Sequence, residues 1–595
     1  MSGVLFVSAL SSAQVDIARK DPLNLPPQIV TLKPGYAVAG AIAQFTVEGR
    51  NFSTGAVVRL GGVALPTLWQ SDSTLQATVP ARLLTSAGTL EVTVRNPAPG
   101  GESVARELQV LPGGVVIGTR SPLVANYSIT APAGASVSVE FGRSMSYGWK
   151  TSTQISDGNP LEILVAGMRA DTAYHMRARI LLSDASLLLD SDHIFTTGSL
   201  PAGRTPAITI TRSATLAPQP GVELLSLISD QLIGAAVTDL DGNIIWYYDS
   251  PPQQTVRFLR QLQSGHLLMI LDSTQYGGPS LAGGGVLLRE VDLAGTTIRE
   301  LSVPDLNHRL AVRGYSLQVS AIHHDVIELP NGHLLALATT VKPFRDLPGY
   351  PGTTNVMGDA LIDLDANLQP VWTWSGFDHL DVNRHLLGLP DWTHANAVVY
   401  LPADGNVMVS MRHQSWIIKI DYHDGVGTGA IVWRLGNQGD FQLSGSPAAW
   451  FYSQHYPGLI SSTSAGMRFA LMDNGLLRVT DSHGDACNPL GSPACYSRAI
   501  VVQVNEVTRN ASIAREYLPG LFSIWGGSAD LLANGNLEGD FCQSVAVLAG
   551  GSRITETTAD PQPQLVWQMD ITGESAYRGY RIPSLYPGVK WTAAP

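Results

Sequence analysis

Apolar and polar residues alternate over short stretches through most of this chain, the period-two pattern of strands that bury one face. Gln44–Glu48 (QFTVE), Thr89–Val94 (TLEVTV) and Ala135–Phe141 (ASVSVEF) are clear cases. The intervening turns carry glycine and proline, and no long stretch follows a helical period, so the expected fold class is all-β. Two segments, 25–111 and 113–198, each have the size of a small immunoglobulin-like β-sandwich. Residues 1–24 precede them as a leader and linker.

From 205 to 590 the texture changes and the sequence repeats itself. One unit is a strand ending in D-x-x-G or a close variant, often followed by tryptophan. It occurs at Asp239–Gly242 with Trp246, Asp292–Gly295, Asp363–Ala366 with Trp372, Asp421–Asp424 with Trp433, in degenerate form around Gln503–Asn505, and at Asp570–Gly573. A second unit interleaves with it: Gln261–Ile270 (QLQSGHLLMI), Glu328–Leu337 (ELPNGHLLAL), Tyr400–Ser410 (YLPADGNVMVS) and Leu531–Asp540 (LLANGNLEGD). A spacing of roughly 50 to 80 residues holds about four short strands, and radial repetition of four-stranded sheets makes a β-propeller. Six copies predict six blades. The repeated tryptophans are expected to pack between blades, and His266 and His333 to serve their N-G-H turns.

Composition narrows the class of partner. Apolar residues make up 44% of the 595, enough for sizeable cores, and charged residues only 14%. The net charge of −12 comes without a basic stripe, which excludes a nucleic-acid role. No run of 18 or more apolar residues exists, so no membrane span is expected. Val4–Leu10 is a short apolar run, and Ser11 and Ala13 suit the small positions of a signal-peptidase site before Gln14. The positively charged flank of a signal peptide is missing, so an ordinary N-terminal tail stays open beside a secreted or periplasmic destination. Cys487 and Cys495 flank a polar loop suited to a disulfide, and Cys542 is left over for the interior.

Aligning the repeats on their N-G turns exposes a shared position at the start of the innermost strand. Successive blades place there His324 (AIHHDVIELPNG), His394 (DWTHANAVVYLPADG) and His455 (YSQHYPGLI). Eighteen residues after each comes a second polar position, Lys342, Arg412 and Asp473. Innermost strands face the central channel, so equivalent residues of adjacent blades converge near the axis. His323 and His413 adjoin site residues, and strand alternation would turn one of each neighbouring pair away. Neutral imidazoles beside cations can attack an electrophile and form a covalent intermediate. The cations would keep the rings neutral and offset charge on the oxygens of a transferred phosphoryl or sulfuryl group. Asn396, two residues beyond His394, would share its strand face and offer an amide donor.

Three resemblances attach to these residues. Residues 25–111, with GRNF at Gly49–Phe52 and the turn at Gly61–Gly62, resemble an IPT/TIG domain. Met168–Ile180 (MRADTAYHMRARI) is similar to a fibronectin type III edge. DWTHANAVVY followed by MVSMRHQSWIIKID, together with IHHDVIELPNGHLLAL, WRLGNQGDF and SQHYPGLI, resembles the bacterial arylsulfotransferases that work without phosphoadenosyl phosphosulfate. That resemblance spans 210 to 590 and implies a six-bladed propeller preceded by the sandwiches. It implies ping-pong transfer of sulfate from an aryl sulfate donor to a phenolic acceptor, with His394 as nucleophile and His324 and Arg412 on the sulfate. His455, Lys342, Asn396 and His323 are expected around the substrate. The preceding blade departs from the family by offering Arg257 (QTVRFLRQL) where a further histidine is usual. No cofactor and no metal is expected, and a homodimer is left open.

Two other classes compete. TIG modules and propellers also build non-catalytic adhesion proteins, and water in place of the phenol would make the enzyme a sulfate ester hydrolase. A metal site on His324, His394, His455 and Asp473 is opposed by the cations Lys342 and Arg412.

Overall fold

A computed structural model describes residues 25–229, 231–250, 254–273, 284–445, 449–479, 486–488, 494–543, 550–559 and 562–592. The fold is all-β, and the described residues contain one α-helix, Val303–Val312, capped by Ser302. The first sandwich pairs Gln28–Lys33, Ala43–Arg50, Thr74–Val79 and Thr67–Ser71 in one sheet. The facing sheet runs from Tyr36–Val38 through Arg106–Leu111, Gly88–Arg95 and Val57–Leu60 to Val63–Ala64. The alternation works as the sequence predicts: Leu75, Ala77 and Val79 point inward and meet Phe45 and Val47. A second two-sheet unit follows, with Val137, Val139 and Phe141 facing inward beside Tyr174, Met176 and Ala178.

Six sheets of four or five strands then succeed one another among the described residues. They begin with Val222–Ile228, Gln254–Gln261, Ala321–Glu328, Ala395–Leu401, His455–Thr463 and Ser528–Leu531. From the second sheet onward, each of these inner strands lies beside that of the next sheet. The series closes on itself because Ser575–Ile582, near the C-terminal end, pairs with Val222–Ile228 and lies beside both Ser528–Leu531 and Gln254–Gln261. Ala207–Arg212 in turn joins the sixth sheet through Leu565–Thr572. Both ends of this region are thereby held in sheets begun by its other end. Tyr586 bridges back to the second sandwich, accepting from the Ala166 N–H and donating to the Leu164 carbonyl.

The D-x-x-G and tryptophan repeat has a physical basis. Asp239 Oδ1 accepts from the Asp241 and Asn243 amides and so closes its turn. Buried Trp246 then donates its indole N–H to Leu293 O, inside the next sheet's Asp292–Gly295 turn. Trp433 donates to Glu506, and Trp567 to Leu240 O. In the third sheet Trp374 rather than Trp372 makes the crossing, to Gly429 O, while Trp372 packs edge-on against Tyr422. His266 and His333 pair with Glu290 and Asp363 beside their turns. Cys487 and Cys495 are disulfide-bonded, and Cys542 is buried and unbonded.

Candidate functional site

Where the inner strands converge, a cavity of about 380 Å³ is lined by Ile228, Arg257, His324, His394, Arg412, His455, Trp525 and Tyr577. That size suits a small organic ligand. Its polar residues reach it through broken ladders rather than regular strands. Pairing slips between Val256 and Phe258, at Arg257, and between Ile322 and Val326, around His324. It slips again between Ala395 and Ala397, and between His455 and Gly458. In the closing strand the slip leaves out Tyr577. A bulge re-aims side chains at the end of a strand, as active sites require. His324 and His394 adopt positive φ (55° and 47°), a conformation that non-glycine residues rarely accept without surrounding support.

His394 Nδ1 lies 2.5 Å from Asp391 Oδ2. Burial raises the Asp391 pKa, but the hydrogen bond from His394 and the nearby His394, His413 and His323 rings outweigh it, and the carboxyl is held below its usual range. An ionised carboxylate only accepts, so His394 Nδ1–H donates to it and Nε2 is the ring nitrogen left for other partners. His413 stacks on His394 at 4.5 Å. Arg412 Nη1 can only donate, so His413 Nε2 accepts from it at 2.7 Å while His413 Nδ1–H donates to Asp391 O at 2.8 Å. Burial, with help from His394 and Arg412, pushes His413 down to about 4. Arg412 is nine-tenths buried, anchored by Nη2 to Ile524 O, and its Nε has no protein partner.

His455 is fixed by the same logic. The Gly526 N–H donates to its Nε2 at 3.2 Å, and its Nδ1–H donates to Asn474 Oδ1 at 2.7 Å. Gly526 has φ of 69°, and a Cβ there would stand 2.7 Å from Cys542 Sγ, so only glycine suits this approach. His324 packs edge-on against His394 and Tyr577. Burial holds His324 and His455 well below the usual histidine range, reinforced by the surrounding rings and guanidinium groups. Burial also pushes the Tyr577 phenol up, opposed by the adjacent Arg578 guanidinium. The result is a pocket in which His324 and His455 are held neutral beside the permanently charged Arg412 guanidinium, with Trp525, Tyr577 and Ile228 in the lining.

A model of the arylsulfotransferase (ASST) family matches residues 217–581, more than half of the chain. The chain belongs to the arylsulfotransferase family. That membership supports a sulfotransferase-type function. An IPT/TIG domain model matches residues 27–105. No curated protein matches the chain. Among solved structures, a γ-CGTase from Alkalophilic bacillus clarkii is 17% identical over 29% of this chain and 26% of its own, with a TM-score of 0.15. An auxiliary nutrient binding protein from Bacteroides ovatus is 9% identical over 95% of this chain and 93% of its own, with a TM-score of 0.26. A phosphatase-titled protein from Bacteroides thetaiotaomicron is 12% identical over 76% and 95%, with a TM-score of 0.23. Similarities this low carry no weight for function.

In this member of the arylsulfotransferase family, His324, His394, His455, Arg412 and Arg257 all line the one cavity. Arg257 Nε is paired with Asp272 at 2.5 Å. Three expected residues do not reach the cavity lining. Lys342 is 47% exposed, paired with Asp378 at 3.2 Å, because its strand runs past the sheet into the hairpin Leu334–Leu364. Asn396 sits inside the bulge after His394, and its amide donates instead to Gln454 O at 2.7 Å. His323 lies behind His324, its Nδ1 2.8 Å from the His324 Nδ1, with Nε2 3.0 Å from Asp359 Oδ1 but not aligned as a hydrogen bond. Asp473 is buried against Arg478 and Arg498, away from any metal-binding role with the histidines. Of the pair Arg412 and His413, Arg412 lines the cavity while His413 stacks on the His394 ring, both carried by the 3₁₀ turn Arg412–Gln414.

Sequence reasoning missed Asp391, Trp525 and Tyr577. The D-x-x-H spacing of Asp391 and His394 was the one readable signal. Asp391, His394 and His413 offer donor atoms within 4.8 Å of one another. Those atoms are engaged among themselves, and Arg412 stands against the far nitrogen of His413, an arrangement that disfavours a cation.

No helix among the described residues is long and apolar enough to cross a membrane.

Proposed function

We propose that this protein is an aryl-sulfate sulfotransferase that works by a ping-pong mechanism through a sulfo-histidine, housed in a six-bladed propeller formed by the closed series of six sheets. The observation that carries the reading is the Asp391–His394 pair, which presents a free Nε2 into a cavity shared with Arg412 and two further neutral imidazoles. Segments 25–111 and 113–198 are read as the two sandwich domains and 205–590 as the catalytic domain.

In the first half-reaction His394 Nε2 attacks the sulfur of the donor. The N–S bond forms, the S–O bond to the aryl ring breaks, and the phenolate leaves with the bonding pair. Asp391 offsets the positive charge that the sulfo-imidazolium carries, and Arg412 faces the sulfuryl oxygens, with Arg257 as a second cation for them. The phenolate leaves as the anion beside these cations, and His324, held neutral, is placed to take the proton of the acceptor phenol and release it to solvent. In the second half-reaction the acceptor oxygen attacks sulfur and the N–S bond breaks, restoring His394. The aryl ring of either partner lies against Trp525 and Tyr577.

His455 gives a second reading of the nucleophile. It is neutral and faces the same cavity with its Nδ1 pinned by Asn474, although its Nε2 already accepts from Gly526. Incubation with a chromogenic aryl sulfate, followed by peptide mass mapping under alkaline conditions, separates the two. The sulfuryl mass increment is expected on the peptide carrying His394 and lost in His394→Ala. An increment on the His455 peptide would exchange the roles, with the Asp391–His394 pair as acid–base. Transfer in His394→Ala at the wild-type rate, with no increment on either peptide, would end the covalent reading. Release of phenol that no added phenol accelerates would favour the hydrolase variant.

A further inference from the structure

Arg578 lies at the centre of the sheet assembly, beside the cavity-lining Tyr577, with 1% of its side chain exposed. It sits on Ser575–Ile582, the strand that closes the series. Its contacts run to the neighbours of nearly every site histidine. Nη2 donates to Asn396 O at 3.0 Å, two residues beyond His394. Nη1 lies 3.3 Å from Oδ1 of Asp325, the residue after His324. The guanidinium stacks over the Tyr456 ring at 4.3 Å, the residue after His455. Asp325 adds two ties of its own, accepting from the Val398 N–H through Oδ2 at 3.1 Å and from Arg260 at 2.9 Å. Arg260 stands on the strand that carries Arg257. Three of the inner strands involved are bulged at the contact, so their own ladders do not fix the site residues there. Neither Nη1 nor Nε makes an aligned hydrogen bond, so Asp325 is met as a charge pair.

We propose that Arg578 is the positioning residue of this site: one buried guanidinium that locks the bulged strands bearing His324, His394 and His455 into a single geometry and supplies fixed positive charge behind the cavity. A planar guanidinium suits this task, because Nη2 donates to Asn396 O, Nη1 faces the Asp325 carboxylate and the flat face covers Tyr456, three strands met at once. The charge acts on the rings in front of it. His324 faces His394, His323, His455 and Arg578, and His455 faces Arg412, Asn474, His394 and Arg578. Asp325 and Arg260 remain as a pair when Arg578 is removed, so its loss does not strand the carboxylate.

The catalytic part of this inference rests on the sulfuryl-transfer reading, while the positioning part can be tested without it. Arg578→Met and Arg578→Lys are compared with wild type by titration of ¹⁵N-histidine-labelled protein in NMR and by kcat and KM for an aryl sulfate. In wild type, the two buried imidazoles are expected to stay neutral down to pH 5. In Arg578→Met at least one should take a proton above pH 5, and kcat should fall at least 30-fold with KM changed less than threefold. Arg578→Lys, which keeps the charge but not the planar guanidinium, should leave the titration as in wild type and still lose at least tenfold in kcat. If Arg578→Met does not fold, Arg578→Lys decides alone: kcat within threefold of wild type overturns the proposal. An unchanged titration in folded Arg578→Met overturns it too. If wild type transfers no sulfuryl group, a moved titration upholds the positioning role while the sulfotransferase reading falls.

Discussion

Replacing Asp391 by asparagine isolates the charge behind His394 from its geometry. Asparagine keeps an Oδ1 acceptor for the Nδ1–H, and the Asp391 carbonyl that receives His413 Nδ1–H is unaffected. What disappears is the negative charge facing a ring that becomes cationic when it carries the sulfuryl group. A hydrogen bond to a charged group contributes about 1.5–3 kcal/mol. Coulomb attraction at about 4 Å and an effective dielectric near 20 gives about 4 kcal/mol as an upper figure. The side chains of His394 and Asp391 are 19% and 25% exposed, so screening favours the lower end. At 1.36 kcal/mol per decade, about 2.7 kcal/mol corresponds to roughly 100-fold in kcat/KM. The assay is release of phenol from a chromogenic aryl sulfate, with single-turnover mixing to follow the sulfo-enzyme. Stability supplies a second readout. Because the Asp391 carboxyl is held below its ordinary value of 3.8, its contribution to stability is present above that value and is lost as pH falls through the folded value. Wild type should therefore be more stable than Asp391→Asn at pH 7, and the gap should narrow below about pH 4. A kcat/KM within threefold of wild type in Asp391→Asn would refute the assignment of Asp391 as the charge partner of the nucleophile.

Three further outcomes follow from the geometry. His413, held near 4, binds its proton less readily when folded than when unfolded, so it destabilises the fold progressively as pH drops from 6.5 toward 4; urea unfolding across that window should show a shallower decline in His413→Phe. Trp246→Phe leaves the buried Leu293 carbonyl without its indole donor and should cost about 1–3 kcal/mol, read as a lower urea midpoint at unchanged m-value. Lys342→Ala removes an exposed pair with Asp378, a kind of contact worth about 0–1 kcal/mol, and a cation–π contact with Phe377, and should leave transfer within twofold of wild type; a tenfold loss would return Lys342 to the site.

The parts of this molecule that could be read in advance are those governed by one strand or one turn. Alternation in Thr74–Val79 marked a half-buried strand because one face meets Phe45 and Val47. The D-x-x-G turn and its tryptophan could be read as a repeat because the indole of one sheet needs the turn of the next. The histidine register held for the same reason, since each ring occupies the same end of equivalent strands. The errors share one origin. Regular alternation put Asn396 on the face of His394, yet the ladder breaks between Ala395 and Ala397 and turns its amide to Gln454 O. The bulges and the positive φ values at His324 and His394 depend on supports from other sheets. Asp325 accepts from the Val398 N–H, Asp359 from the Ala395 N–H, and Arg578 spans to Asn396. Strain of about 1–3 kcal/mol at such a residue persists only where the surroundings over-determine it. A period-two pattern carries no information about such supports, because they join residues 36 to 182 positions apart in other sheets. The departures from that pattern therefore coincide with the cavity: Arg257, His324, Tyr577 and the residues beside His394 and His455 are where the inner strands stop being regular, and four of the six sheets meet there through one arginine.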